Sequence, residues 1–247
     1  MSAAAVAERR PSTLSTDLEH LQQQKQPQQQ PAAPSPPPLD RLRLTHALNN
    51  PATALPDAAV PALTLGHIYS SPYPSPTHTL DLSRLPTPSS LFAQALQSLV
   101  PLDADYATAP YESAFDYTAL FAELRRLVKD AGFAWPETSF YVVAFRSVLK
   151  DGIDKERLGL LDEKSHEEAV ESGGLLKYWF GVPDGERRNL ATCFWHSRED
   201  AAAGGKGPWH KKARGAAVTM YESIRFETRR LTVEEGVEGW KWEDWKN

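Results

Sequence analysis

Three histidines are the side chains in this sequence best suited to moving protons near neutral pH. His166, His196 and His210 lie in the C-terminal half. An imidazole that titrates near neutrality can take a proton from an activated phenol or enol, so each is a candidate catalytic residue. Arg146, Tyr178, Trp179 and Trp195 are the candidate ligand-binding residues. They offer a cation and broad aromatic surfaces that would grip a flat small molecule. No HxH or HxxxH pair occurs, and zinc wants three or four close ligands, so neither a metal nor a cofactor is expected.

Other chemistries find less support. Cys193 is the one cysteine, set in an apolar run with no organised base beside it. It reads as a buried structural thiol, which fits a reducing compartment such as the cytoplasm or nucleus. There is no G-x-S-x-G nucleophile turn. Gly204-Gly205-Lys206-Gly207 precedes a helix and could present backbone amides to an anion, but it lacks the spacing and Lys-Ser/Thr pair of a Walker loop.

These residues depend on the stretch Ser172–Ser197, SGGLLKYWFGVPDGERRNLATCFWHS. Two apolar, aromatic runs flank Pro183-Asp184-Gly185, a turn built from a fixed φ, a side-chain acceptor and a residue free to take positive φ. The spacing predicts a β-hairpin of Leu175–Val182 and Asn189–His196. Before it, Ser139–Leu149 is rich in β-branched and aromatic residues and reads as a strand. Lys150–Glu171 reads as a helix burying Leu158, Leu161, Ser165 and Ala169, with Ser165 and Glu168 as a capping box for a shorter helix. After the hairpin, Ser197 and Asp200 can cap a short turn ending at Gly204-Gly205. Pro208 opens a helix with a small-residue stripe of Ala213, Ala216, Ala217, Met220 and Tyr221. Ser223–Val233 reads as a final strand whose polar residues Arg225, Glu227 and Arg229 suit a sheet edge. The order β-α-β-β-α-β is the ferredoxin-like α+β arrangement.

The rest of the chain divides by composition. Seventeen of the twenty prolines precede Tyr111, and all seven tryptophans lie at or after Trp135. Residues 1–60 are a Pro/Gln-rich tail that cannot bury enough apolar surface to fold and is expected to be disordered, with a polyproline II tract at Pro34–Pro38. Residues 61–135 form an N-terminal arm. It has short strands in LTLGHIY and THTLDL, a helix capped by Ser89, and a second helix over Phe115–Gly132 capped by Asp116. Residues 136–235 are the core domain, and 236–247 a Trp-rich tail that can clip back onto the chain. The net charge of −5 argues against nucleic acid as a partner, and no apolar run is long enough to span a membrane.

Side-chain alternation decides how the core is covered. On the second core strand Leu175, Lys177 and Trp179 share one side, and Leu176, Tyr178 and Phe180 the other. On the third, Cys193 and Trp195 oppose Phe194 and His196; on the first, Phe140, Val142 and Ala144 oppose Tyr141, Val143 and Phe145. Both faces are greasy, and a soluble monomer rarely exposes large apolar patches. The helices cover one face. A second copy stacked face to face, giving a homodimeric eight-stranded α+β barrel, is the favoured cover for the other; the N-terminal arm is the alternative.

The run HEEAVESGGLLKYWFG (His166–Gly181), RNLATCFW (Arg188–Trp195) and the small-residue helix after them resemble an uncharacterised fungal protein family of the UPF type. The likeness covers Ser139–Val233 and implies no activity. In architecture the chain is similar to dimeric α+β barrels that include antibiotic-biosynthesis monooxygenases and haem-degrading enzymes. That likeness implies a small aromatic or polyketide-like ligand and cofactor-free monooxygenase or isomerase chemistry, but no catalytic motif carries over. The alternative is a non-enzymatic dimerisation or adaptor module with a Pro-rich recruiting tail.

Overall fold

The computed structural model describes residues 66–246. The expectations for the Pro/Gln-rich front, its disorder and its polyproline II tract lie outside the described residues. Two short strands, β1 (His67–Tyr69) and β2 (Thr79–Asp81), pair antiparallel and open the described chain. Helices α1 (Thr87–Ala95) and α2 (Tyr117–Asp130) follow. Next come β3 (Thr138–Leu149), α3 (Lys155–Glu171), β4 (Leu175–Phe180) and β5 (Arg188–Trp195). The chain ends with α4 (Arg198–Gly204), α5 (Pro208–Met220), β6 (Tyr221–Val233) and β7 (Trp240–Asp244).

The five longer strands form one antiparallel sheet in the order β4-β5-β3-β6-β7. Without β7 this is the ferredoxin-like βαββαβ order. The Trp-rich segment adds β7 beside Arg229–Val233, so β6 remains an edge over its first half, where Arg225 and Glu227 lie, and is covered from Arg229 on. Its polar residues also pair with one another: Arg225, Glu227 and Arg229 form an ion-pair ladder with Arg146 and Glu112 at the margin of the arm-side face. β7 carries exposed Lys241, Glu243 and Asp244 at the new edge, which discourages further strand addition.

The sheet is apolar on both faces, and the chain covers the arm-side face and most of the helix-side face itself, leaving Phe226 exposed on the latter. α3 and α4 lie over Leu175, Tyr178, Cys193 and Trp195. α5 packs chiefly on α3, through Ala216 and Met220 against Leu161. On the opposite face α1 and α2 bury Phe140, Val142, Ala144, Leu176, Trp179, Leu190, Phe194, Leu231 and Val233. Phe92 is the centre of that layer, with ring centroids 4.2 Å from Phe140 and 6.1 Å from Phe194. Phe121 stacks on Trp240 at 4.3 Å, and Trp242 meets Tyr111 at 5.2 Å. The favoured homodimeric cover is thereby corrected: the arm occupies the face on which a second sheet would have stacked.

Local signals explain other departures. α1 starts after Pro86, with proline in its first turn, so Ser89 is a buried residue inside the helix and not its cap. α3 starts at the Asp154 cap, whose side chain accepts from the Arg157 amide at 2.9 Å. Ser165 therefore lies mid-helix, and its hydroxyl bonds back to the Asp162 carbonyl at 3.1 Å. In the hairpin turn the Asp184 side chain accepts from the Glu186 and Arg188 amides, each at 2.9 Å, but the positive φ falls on Arg187, at 64°, and not on Gly185. A bulge between Leu175 and Lys177 breaks the alternation of β4. As a result Leu176, Lys177 and Trp179 face the arm, while Leu175, Tyr178 and Phe180 face the helices.

The bulge also buries a charge. Lys177 is 5% exposed, and its ammonium has Gln97 Oε1 at 3.2 Å as its hydrogen-bond acceptor. Burial pulls its pKa from 10.5 down to about 8. Between those values the unfolded chain holds a proton the folded chain has lost, so this group makes stability rise with pH from about 8 to 10.5. Below that window the penalty is fully present, on the order of 3 kcal/mol. Lys177→Met should raise the unfolding free energy at pH 7 and flatten its rise up to pH 10 in urea titrations. Trp179 sits edge-on to Phe115 at 4.8 Å and to Tyr106 at 5.3 Å. Trp179→Ala should cost about 3–5 kcal/mol, while the folded fraction keeps its sedimentation coefficient. A smaller folded species would mean that a second chain shares that face.

Candidate functional site

The residues singled out from the sequence do not converge on one pocket. Trp179 and Trp195 are buried on opposite faces of the sheet. Trp195 lies so close to α4 that a Cβ on Gly204 would approach its ring to 2.6 Å. Arg146 fastens the arm. It donates to the Ala107 carbonyl at 2.7 Å and the Ala109 carbonyl at 2.6 Å, and pairs with Glu227 at 3.1 Å.

His166 and Tyr178 do meet, inside a buried network under α3. Their rings stack with centroids 3.3 Å apart. His166 Nδ1 lies 2.8 Å from the Asp162 carbonyl, which can only accept, so Nδ1 carries the proton. That leaves Nε2 to accept from the Cys193 thiol, 3.8 Å away. One helical turn before His166, the Asp162 carboxylate accepts from Tyr178 Oη at 2.7 Å and from the hydroxyl of Tyr73, which arrives on the β1–β2 loop. Burial, then the Asp162 charge, pushes the Cys193 thiol and both phenols well up. Burial holds His166 below its ordinary range against the pull of Asp162. The thiol is therefore protonated and poorly nucleophilic, and this network joins loop, helix and sheet.

His210 serves the start of α5. The Glu168 carboxylate accepts from the Trp209 amide at 2.7 Å and the His210 amide at 3.0 Å, with His210 Nδ1 at 3.1 Å. Burial pushes the Glu168 carboxyl up, but these hydrogen bonds together pull it below its usual range. The anion seat considered at Gly204–Gly207 is thus filled by the protein's own carboxylate. A Cβ on Gly207 would come within 2.1 Å of Glu168 Oε2, so any side chain there would displace the carboxylate from this position.

His196 faces a different place. It ends β5, its amide donating to the Gly174 carbonyl at 2.9 Å, and its Nδ1 lies 2.7 Å from Ser89 Oγ on α1. Beside it opens a cleft of about 190 Å³ lined by Arg84, Pro86, Ser172, Gly173, Gly174 and Asp200, among others. Asp200 accepts from Ser197 Oγ at 2.6 Å within the α4 cap. Gly174 admits it, since a Cβ would lie 2.3 Å from Asp200 Cβ. Gly173 takes φ 87° to turn α3 into β4, and the Arg84 guanidinium lies along it, Nη2 falling 3.5 Å from where a Cβ would sit. Arg84 and Gly173 also wall a neighbouring cleft of about 510 Å³ that includes His67, Asp81, Glu167 and Glu171.

Sequence reasoning missed Arg84, Ser89 as a positioning group, Asp162, Tyr73 and His78. Ser197-x-x-Asp200 and Gly173-Gly174 were visible as cap and corner. Nothing in the sequence placed the arm's Arg84 opposite them. Among the described residues no group of three or more His, Cys, Asp or Glu could hold a metal ion, and no helix is long and apolar enough to cross a membrane.

Residues 69–244 match the family described as PB2B2.08-like. The UPF0643 protein PB2B2.08 of Schizosaccharomyces pombe is 41% identical over 180 residues, covering 68% of this chain and 80% of that protein. The family match runs beyond Ser139–Val233 and takes in both arm helices and β7. Among solved structures, a candidate antibiotic biosynthesis monooxygenase from Nitrosomonas europaea is 18% identical with a TM-score of 0.32, covering 36% of this chain and 94% of that one. A dimeric ferredoxin-like protein of unknown function from Thermobifida fusca is 14% identical with a TM-score of 0.31, covering 38% of this chain and 92% of that one.

The β1–β2 loop brings a second buried histidine to α3. His78 has Ser71 Oγ 2.6 Å from Nδ1, and its Nε2 has no hydrogen-bond partner among the described residues. Burial first, then the charge of His166, lowers its pKa from 6.5 to about 4. The unfolded chain therefore binds a proton that the folded chain refuses, and stability is lost as pH falls from 6.5 towards 4. His78→Gln should make that fall shallower in denaturant titrations at pH 7, 5.5 and 4.5; an unchanged slope would place the acid sensitivity elsewhere.

Proposed function

This chain belongs to the PB2B2.08-like family, and we propose for it the binding of a small anionic ligand in the cleft at His196. One observation carries the reading. Arg84 from the arm, Gly173–Gly174 from the corner between α3 and β4, and His196 and Asp200 from the end of the hairpin line a single cavity. A guanidinium recognises carboxylate or phosphate through paired donors. Ser89 fixes the imidazole from behind, and the Ser197 hydroxyl holds the Asp200 carboxylate in the α4 cap, which leaves Arg84 as the group that would meet an anion. His196 is the group here that can exchange a proton with what is bound.

Gripping of a flat aromatic ligand by the hairpin loses support, because Tyr178, Trp179 and Trp195 are packed in the core. A second reading has its own observation. On the helix-side face Val143 and Phe145 are half-buried and Phe226 is 57% exposed, a strip suited to an apolar ligand or partner.

A panel of carboxylates and phosphate esters, followed by amide chemical shifts, tests the cleft. Binding should move Gly173, Gly174 and His196. Arg84→Ala should weaken it roughly tenfold or more, and His196→Ala less. Equal binding by Arg84→Ala would overturn the assignment.

A further inference from the structure

The two clefts that meet at Arg84 and Gly173 differ in charge. The smaller one presents Arg84 and His196 with a single carboxylate, Asp200, which accepts from the Ser197 hydroxyl while its own backbone amide donates to that hydroxyl in the α4 cap. The larger one presents three carboxylates, Asp81, Glu167 and Glu171, with His67 and Arg84 as its basic groups. The Ser83 hydroxyl and amide hold Asp81 below the usual carboxylate range, and Lys164 does the same for Glu167, so both are anionic at neutral pH. Lys164 lies 2.5 Å from Glu167 and offsets part of its charge. Glu171 makes no ion pair among the described residues and sits one helical turn beyond Glu167. Arg84 thus stands at a boundary between a compartment with one carboxylate, where it sits beside His196, and a compartment with three.

We infer that the ligand is a zwitterion spanning this boundary, an ω-amino acid or a short peptide, with its carboxylate on Arg84 beside His196 and its ammonium against Glu171. The inference rests on the anion-binding reading of the smaller cleft and extends it to the neighbouring compartment. A ligand bearing only negative charge would meet Asp81, Glu167 and Glu171 wherever it extended past Arg84. A diamine would find carboxylates but would face Arg84 at the junction. Opposite charges at the two ends of one molecule satisfy both compartments. Glycine at 173 keeps the junction low, since any side chain there would meet the guanidinium and would have to adopt φ 87°.

A carbon-matched series of glutarate, δ-aminovalerate and cadaverine tests this with the full-length chain, by calorimetry and amide chemical shifts. δ-Aminovalerate should bind roughly tenfold tighter than either of the others. Glu171→Gln should reduce its affinity towards that of glutarate while tightening glutarate, whose second carboxylate no longer meets that charge, and Arg84→Ala should weaken both. Glutarate binding as tightly as δ-aminovalerate, with shifts at Gly173 and His196, would overturn the zwitterion and leave the anion site standing. Absence of shifts at Gly173, Gly174 and His196 with every probe would overturn both. Unchanged circular dichroism of Glu171→Gln separates a lost contact from a lost fold.

Discussion

A four-stranded sheet that is greasy above and below cannot stand in water with one layer of helices. Each large apolar side chain left exposed forgoes roughly 1.5–3 kcal/mol, and such residues occupy both faces of β3, β4 and β5. This constraint explains why some 70 residues of arm precede the ferredoxin-like core. The arm stacks Phe92 on Phe140, sets Phe115 and Tyr106 edge-on to Trp179, and meets Trp240 and Trp242 arriving from the other end of the chain. Arg146 and Glu227 then lock the loop between the arm helices to the sheet. The second layer is intramolecular, so its closure does not depend on protein concentration.

The same closure traps polar groups, and their environments sort them into kinds. Asp162 is well satisfied: two phenols donate to its side chain, and its backbone carbonyl receives His166. A network of that sort stabilises the seam between loop, helix and sheet, because breaking it would leave several buried groups unpaired at once. Lys177 and His78 are poorly satisfied, one with a single amide acceptor and the other with a bare ring nitrogen. Each responds as a desolvated base should, by binding its proton less tightly. Stability is therefore expected to depend on pH at two separate places in the fold.

How much of this was legible in the sequence follows from the range of the signals involved. The order βαββαβ, the Asp116 cap and the small-residue stripe of α5 are local patterns, and local patterns were readable. The face of each residue on β3 and β5 was readable too, because those strands alternate without interruption. β4 was misread because one extra residue at Leu176 shifts everything before it, and nothing in LLKYWF announces a bulge. Ser89 and Ser165 look like caps from their neighbours alone; Pro86 and Asp154 start those helices earlier. The cover of the second face was a choice between equally apolar partners, and composition does not distinguish an arm from a second copy. The histidines scattered for a related reason. A side chain's type advertises its chemistry, but tertiary packing decides whether it faces a cavity, a carboxylate or a ring.

Where the cleft lies is also a consequence of how the sheet is covered. Apolar layers close best over the middle of strands, where backbone groups are already paired. At the end of β5 the pairing stops, α3 turns into β4 through two glycines, and the arm crosses at Arg84–Pro86 on its way to α1. Three chain segments with unfinished backbone and short side chains cannot fill that corner, and polar groups collect there. Ser89 ties the corner to the arm's core: its buried hydroxyl reaches from α1 to His196. Because Arg84 belongs to the arm while His196 and Asp200 belong to the ferredoxin-like unit, the cleft exists only when the arm is docked. Binding there would stabilise the docked arm by the same free energy with which the docked arm favours binding, as linkage requires. The device that replaces a second subunit on the sheet therefore also completes a cavity that His196 lines.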